Sequence, residues 1–340
     1  MKKYFDRNQT YIIAEAGLNH NGSIEIAKQL IDIASISGAD AIKFQKRTVE
    51  NLAVKETLNA NDERFPNFGK TYKEIRDFLE FNMDEYIILK NYSESKGLDF
   101  MVTAFDIDAV IFLEKLNIQS YKLASHSLTN IELLKYISKI GKPLILSTGM
   151  SDYNEIETAV NIFKESNTDI ALMHCVSSYP TPINECNISF IDNLKKKFNL
   201  IIGYSGHELG YIPTLVAVAR GAKIIERHFT INKKMEGFDH KMSLEPDEFY
   251  SMVRDIRLVE ESIGVGEKLI SETEWITRKK YHVSMTSLVE IPSGTILTEK
   301  MVTYKNPGTG IPPKNSNLII GKKSIQSIPA DILLTIEMFS

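Results

Sequence analysis

The sequence predicts an α/β fold, a (β/α)8 barrel followed by a small all-β module, and three observations predict it. Eight short apolar runs, starting at Tyr11, Ala41, Phe100, Tyr121, Pro143, Ile170, Leu200 and Ala222, alternate with helix-like segments, which is the count of a closed parallel barrel. Polar and charged residues recur where these runs end, on the face where such a barrel carries its chemistry. After Gly264 the helical periodicity gives way to short Thr, Val and Ile runs broken by Pro292-Ser293-Gly294, Pro307-Gly308-Thr309-Gly310, Pro312-Pro313 and Gly321, a turn density that suits a small β domain. The expected division is a barrel at 1–270, a linker at 271–282 and a β module at 283–340. A module of about 60 residues has little core of its own, so it is expected to dock on another surface.

Residues 11–14 read as the first strand and 17–22 as a turn-rich loop, in which His20 suits a site residue and a turn residue equally. Ser23 is placed to cap a helix in which Ile24, Ala27, Leu30, Ile31 and Ala34 share one face, and Gly38 ends it. After the second strand, 41–44, the polar stretch 45–82 carries Pro66 and Gly69 and reads as an active-site cover or a disordered insertion. Helix 83–96 stops at Gly97, and strands 100–103, 121–124, 143–147 and 170–174 then alternate with helices 107–116, 128–140, 153–164 and 188–198. The seventh and eighth runs enclose a further helix-like stretch, and Pro246, suited to a first helical position, opens the last barrel helix.

A chain of 340 residues with 43% hydrophobic content can build a large core. Its net charge of −4 and lack of a long basic run argue against a nucleic-acid partner and point to a small-molecule ligand. The two cysteines, Cys175 and Cys186, are too few for a disulfide framework, and Cys175 reads as core. No apolar run approaches the roughly 20 residues of a membrane span, and the opening MKKYFDRNQT lacks the apolar stretch of a signal peptide. A cytoplasmic location is expected.

The strand ends supply, in order, Glu15; Lys43 and Gln45; Thr103; Lys122 and Ser125; Ser147; His174, Ser177 and Tyr179; Ser205 and His207; Glu226 and His228. Two lysines with several hydroxyls make a receptacle for phosphate. Two histidines with carboxylates suit a divalent metal that polarises a carbonyl oxygen. Each has a structural alternative: a hydroxyl can cap a helix, Lys43 can pair with Glu15, and either histidine can be a hydrogen-bonded core residue. Independent structural needs do not place them all at one end of consecutive strands.

The segments 13–22, 39–45, Leu146-Ser147-Thr148-Gly149-Met150, Gly203-Tyr204-Ser205-Gly206-His207-Glu208 and Glu226-Arg227-His228-Phe229-Thr230 resemble the signature segments of the sialic acid synthase family. The C-terminal Pro292-Ser293-Gly294-Thr295-Ile296-Leu297-Thr298 and Gly321-Lys322-Lys323 resemble its antifreeze-like SAF (β-clip) domain. The resemblance implies a TIM barrel with an SAF domain, and condensation of phosphoenolpyruvate with N-acetylmannosamine or a related N-acyl sugar, giving N-acetylneuraminate or an analogue plus phosphate. It implies a divalent metal, Mn²⁺ or alternatively Mg²⁺ or Co²⁺, on His207 and His228, and a proton-handling role for Glu15. Lys43, Thr103, Lys122, Ser125, Ser147, Ser177 and Ser205 match phosphoenolpyruvate positions, and Gln45, Tyr179 and Asp239 match sugar positions. A domain-swapped homodimer is also implied. Ser127 stands where the family often has an acid, and Asn306, beside Lys305, where many bacterial members have Arg. These departures leave open a free, 6-phosphorylated or trideoxy diacetamido (legionaminic or pseudaminic type) acceptor. A Schiff-base aldolase or lyase using Lys122 or Lys43 and a catalytically silent sugar-binding protein are the competing readings.

Overall fold

The computed structural model describes residues 9–340, in two compact units, one running to Gly264 and the other Val265–Ser340. In the first, eight strands close a parallel barrel in sequence order: β1 Tyr11–Gly17, β2 Ala41–Lys46, β3 Asp99–Ala104, β4 Tyr121–Leu123, β5 Leu144–Ser147, β6 Ile170–Cys175, β7 Ile201–Gly206 and β8 Ile224–His228. Successive strand residues face opposite sides, so each strand feeds two cores. One set, with Ile12, Ile42, Val102, Leu146 and Ile225, packs under the surrounding helices; the other, with Tyr11, Ile13, Ala41, Met101, Ile145, Ala171, Met173 and Ile224, fills the barrel.

The interior set changes character toward the carboxyl ends. Tyr11 and Ile13 give way to Glu15, Ala41 to Lys43 and Gln45, Met101 to Thr103, Ile145 to Ser147, and Ile224 to Glu226 and His228. Apolar layers thus form a floor under a polar mouth. The register sets neighbours: Glu15 pairs with Lys43 on one side and His228 on the other, and Ser205 with Glu226. Between Glu15 and Gly17 the β1–β2 register skips a residue. Gly17 sits there at φ 55°, where an added Cβ would meet Gln45, Glu15 and His228 at 3.2–3.4 Å, so glycine serves both the backbone and the crowded mouth.

Helix starts follow their caps. Ser23 accepts from Ile26 N–H, as read from sequence. The helix expected from Leu128 begins at Ile131 instead, because Asn130 Oδ1 accepts from Leu133 N–H and residues Ser125–Ser127 form a 3-10 turn. Pro246 opens helix Pro246–Ile263.

Stretch 45–82 is built as an ordered cover. It holds short helices at Lys55–Leu58 and Tyr72–Phe78, and Ile75 and Leu79 bury themselves with Leu18 against Phe65, Phe68 and Phe238. In the second unit the segment expected as a linker carries helix Glu272–Tyr281, started by a capping box between Ser271 and Glu274. Strands β9 Ser284–Ser287 and β10 Val302–Lys305 pair antiparallel. Around them Met285, Ile291, Leu297, Ile311, Ile319, Ile328, Leu334 and Phe339 form a small core of the unit's own. Among the described residues no helix is long and apolar enough to cross a membrane.

Candidate active site

The polar layer opens into a cavity of about 270 Å³ at the carboxyl ends of the strands, and every strand-end residue named from sequence except His174 lines it, as does Asp239. At its base Lys43 Nζ lies 2.6 Å from Glu15 Oε2 and 3.6 Å from Glu226 Oε1, and donates to Thr103 Oγ1 at 2.8 Å. Lys122 Nζ donates to Ser147 Oγ at 2.8 Å and Leu123 O at 3.1 Å, and lies 3.7 Å from the same Glu226 oxygen. Two ammonium groups and two carboxylates, all buried, therefore balance in charge. Burial disfavours the Lys43 ammonium, but Glu15 and Glu226 outweigh it and hold its pKa above the usual lysine value. For Lys122 burial prevails over the pull of Glu226, and its pKa is lowered. Burial pushes the other way on Glu226, yet Lys122, Lys43 and His228 keep its carboxyl well below the usual range. Gln45 Nε2 donates to Glu15 Oε1 at 2.6 Å and fixes that carboxylate in place.

The hydroxyls line one wall. Ser125 Oγ accepts from Gly149 N–H at 3.0 Å, Ser205 Oγ donates to Glu226 Oε1 at 3.2 Å, and Ser177 Oγ is buried beside Cys175 and Tyr179. Gly149 admits this crowding: a Cβ there would lie 2.3 Å from Ser177 Oγ and 2.8 Å from Ser125 Oγ. Cys175 is buried as expected and also lines the cavity, because its position on β6 continues the interior series Ala171, Met173. Its Sγ is 3.5 Å from Ser125 Oγ and 3.8 Å from His207 Nδ1, and burial raises the thiol's pKa.

His207 donates from Nδ1 to Val176 O at 2.9 Å, which leaves its Nε2 with a free lone pair. His228 Nδ1 is buried without a hydrogen-bond partner among the described residues, 3.8 Å from Asp239 Oδ2. The two rings are 5.6 Å apart, and Tyr179 lies 4.3 Å from the His207 ring. Burial lowers both pKa values, favouring the neutral imidazoles a metal requires. This donor pair fits a divalent ion. Among the described residues no group of three or more His, Cys, Asp or Glu is gathered to hold one, so water and substrate would complete its coordination.

On the other side of these strand ends the Arg227 guanidinium is ion-paired with the Glu208 carboxylate and donates to Glu208 O and Gly210 O at 2.7 Å and Thr214 Oγ1 at 2.9 Å. Tyr204 OH donates to Glu208 Oε2 at 2.8 Å. The histidine-bearing ends of β7 and β8 are thus tied together from behind.

Some residues differ from their sequence reading. His174 faces away from the cavity, bonding Cys186 O at 2.8 Å and packing on Phe190 and Tyr204. Glu226, a strand-end residue without an assigned role, is the carboxylate between the lysines. Lys305 pairs with Asp331 within the second unit, and Asn306 is exposed. Sequence reasoning missed Arg47, Arg76, Phe105, His126 and Phe238, which also line the cavity. Arg47 was findable, since it extends the alternation Lys43, Gln45 on β2. Arg76 and Phe238 lie in helical and loop segments outside the strand periodicity, which carry no such signal.

The NeuB family model matches residues 30–268, and the SAF domain model residues 287–340. Human N-acetylneuraminate-9-phosphate synthase is 37% identical over 330 residues, covering 96% of this chain and 92% of the human protein. The N,N'-diacetyllegionaminic acid synthase of Campylobacter jejuni is 37% identical over 340 residues, covering 96% of this chain and 99% of that one. Among solved structures, the N-acetylneuraminic acid (sialic acid) synthetase of Leptospira borgpetersenii serovar Hardjo-bovis, in complex with citrate, matches with a TM-score of 0.70 at 36% identity, over 79% of this chain and 90% of that chain.

Proposed function

The chain belongs to the NeuB family of sialic acid synthases, and we propose that it condenses phosphoenolpyruvate with an N-acylated amino aldose to give a nine-carbon 2-keto acid and inorganic phosphate. The observation that carries this reading is the meeting, in one cavity, of a lysine and hydroxyl cradle with the imidazoles of His207 and His228.

Lys43 and Lys122 would take the donor's anionic groups, with Thr103, Ser125, Ser147, Ser177 and Ser205 as oriented donors. Gln45, Tyr179 and Asp239 would seat the acceptor. His207 and His228 would hold a divalent ion, Mn²⁺ or alternatively Mg²⁺ or Co²⁺, which when bound supplies Lewis-acid polarisation of the acceptor's carbonyl oxygen. The enol carbon of the donor bonds to the open-chain aldehyde carbon, water adds to the cationic carbon left behind, and the C–O bond to phosphate breaks. Glu15, held by Gln45 and Lys43, is positioned to move a proton in the water-addition step.

The test is phosphate release from phosphoenolpyruvate with a panel of N-acyl amino aldoses, followed by product mass. Release that depends on the sugar, with a product of nine-carbon mass, is expected. A Schiff-base lyase is favoured by one observation, the lowered pKa of Lys122. Borohydride trapping of a pyruvate adduct, with no sugar-dependent phosphate release, would replace the synthase reading with that one.

A further inference from the structure

The turn-rich loop after β1 buries Leu18, Asn19 and His20, yet of these only Leu18 lines the cavity. Its asparagines turn instead to a second loop, residues 230–243, which leaves β8 just after His228 and carries Asp239. The base of that second loop closes on the strand end: Leu244 N–H donates to His228 O and Thr230 N–H to Leu244 O, both at 2.9 Å. Between these bonds its only regular structure is the 3-10 turn His240–Met242, so its shape depends on contacts from neighbouring segments.

Asn19 supplies the central contact. Its Nδ2 donates both hydrogens, to Phe229 O at 2.7 Å and to Ser243 Oγ at 2.8 Å, and Ser243 Oγ in turn donates to Asp239 O at 2.6 Å. Phe229 directly follows His228, so one buried amide joins the backbone beside that imidazole to the backbone of Asp239. Asn21 holds the other flank of the loop. Its Nδ2 donates to Glu236 O at 2.9 Å, and its Oδ1 accepts from His240 Nε2 at 3.1 Å. Gly237 is pressed against the same pair, since a Cβ there would lie 2.7 Å from the His240 ring and 3.1 Å from Asn21 Oδ1. Thus held on both sides, Asp239 lines the cavity with Oδ2 3.8 Å from His228 Nδ1.

We infer that Asn19 and Ser243 are positioning residues for the acceptor, which hold Asp239 at a set distance from His228 so that both side chains meet the same sugar. The inference rests on the synthase reading above, in which Asp239 seats the acceptor. Neither Asn19 nor Ser243 lines the cavity, so their effect passes through Asp239. The lysines and hydroxyls assigned to phosphoenolpyruvate stand on or just after β2 to β7, which this tie does not touch.

The experiment is steady-state phosphate release by the full chain with phosphoenolpyruvate and N-acetylmannosamine, in Asn19→Ala, Ser243→Ala, Asp239→Asn and the pair Ser243→Ala with Asp239→Asn, joined by hydrogen exchange of each. Ser243→Ala, which leaves the bond from Asn19 to Phe229 O intact, is expected to lower kcat/KM for the sugar at least fivefold, and Asn19→Ala at least tenfold. The KM for phosphoenolpyruvate should change less than twofold. Once Asp239→Asn has removed the charge being held, Ser243→Ala should cost less than a further twofold. Exchange should quicken over 231–243 while β1–β8 stay protected, which separates a loosened loop from a variant that does not fold. Equal losses toward donor and acceptor, or a full fivefold effect of Ser243→Ala in the Asp239→Asn background, overturn the inference. So does an unchanged kcat/KM in folded Ser243→Ala. Faster exchange confined to 231–243, with no phosphate release from the unsubstituted chain and any sugar of the panel, would keep the hold on Asp239 and remove the synthase reading.

Discussion

Gly149 shows how a residue with no functional group can decide what a site holds. Gly149→Ala would put a methyl group within contact distance of Ser125 and Ser177 Oγ, and both hydroxyls would turn or shift. Steady-state kinetics should show the KM for phosphoenolpyruvate raised at least tenfold, since both displaced hydroxyls line the cavity. His20 carries a different prediction. Gly22 N–H donates to its Nδ1, the ring stacks 4.3 Å from Phe81, and burial with the charges of Arg47 and His240 lowers its pKa to about 3. The unfolded chain therefore takes up this proton first, near pH 6.5, and stability is lost as pH falls from there toward 3. One such group contributes a slope of up to about 1.4 kcal/mol per pH unit. His20→Gln should flatten urea-denaturation stability between about pH 6.5 and pH 5; a profile as steep as that of the unsubstituted chain would refute this account. At this scale the strand-end residues were legible because they carry charges or hydroxyls at a two-residue spacing. Cys175 was not, because a thiol reads equally well as core.

Among the elements, the strands were the easiest to read and the cover the hardest. Alternation and glycine stops mark the eight strands, whereas 45–82 has a polar composition that hides a cluster made by Ile75 and Leu79 with aromatic partners as distant as Phe238. Long-range packing of that kind leaves no local period in the chain. Helix Tyr72–Phe78, anchored by Ile75, also carries Arg76. Ile75→Ala removes a fully buried side chain, a change that typically costs about 2–5 kcal/mol. Because the cluster is separate from the barrel cores, hydrogen exchange should quicken across 45–82 and leave β1–β8 protected. The KM for the acceptor should rise more than that for phosphoenolpyruvate. Uniform loss of protection would mean that the cover and barrel unfold together.

For the whole molecule, the change in sequence character after Gly264 is where the two compact units divide, but the helix Glu272–Tyr281 was hidden, its exposed charged surface resembling a linker. The second unit has a small core and exposes Leu288, Val289, Ile296 and Tyr304, and we propose that these belong to the domain-swapped homodimer which the family resemblance implies, this unit covering the barrel of a second copy. Under that proposal a chain ending at Ser271 keeps the circular dichroism and cooperative melting of a folded barrel, becomes monomeric by light scattering and loses turnover. Full activity in the shortened chain would remove any role for the second unit in catalysis. The tie between Arg227 and Glu208 has its own consequence at this scale. It fixes the spacing of His207 and His228 from outside the cavity, through groups that do not line it. Substitutions among the cavity residues Arg76, Phe105 and Tyr179, none of which takes part in that tie, would therefore leave the spacing of the two imidazoles in place.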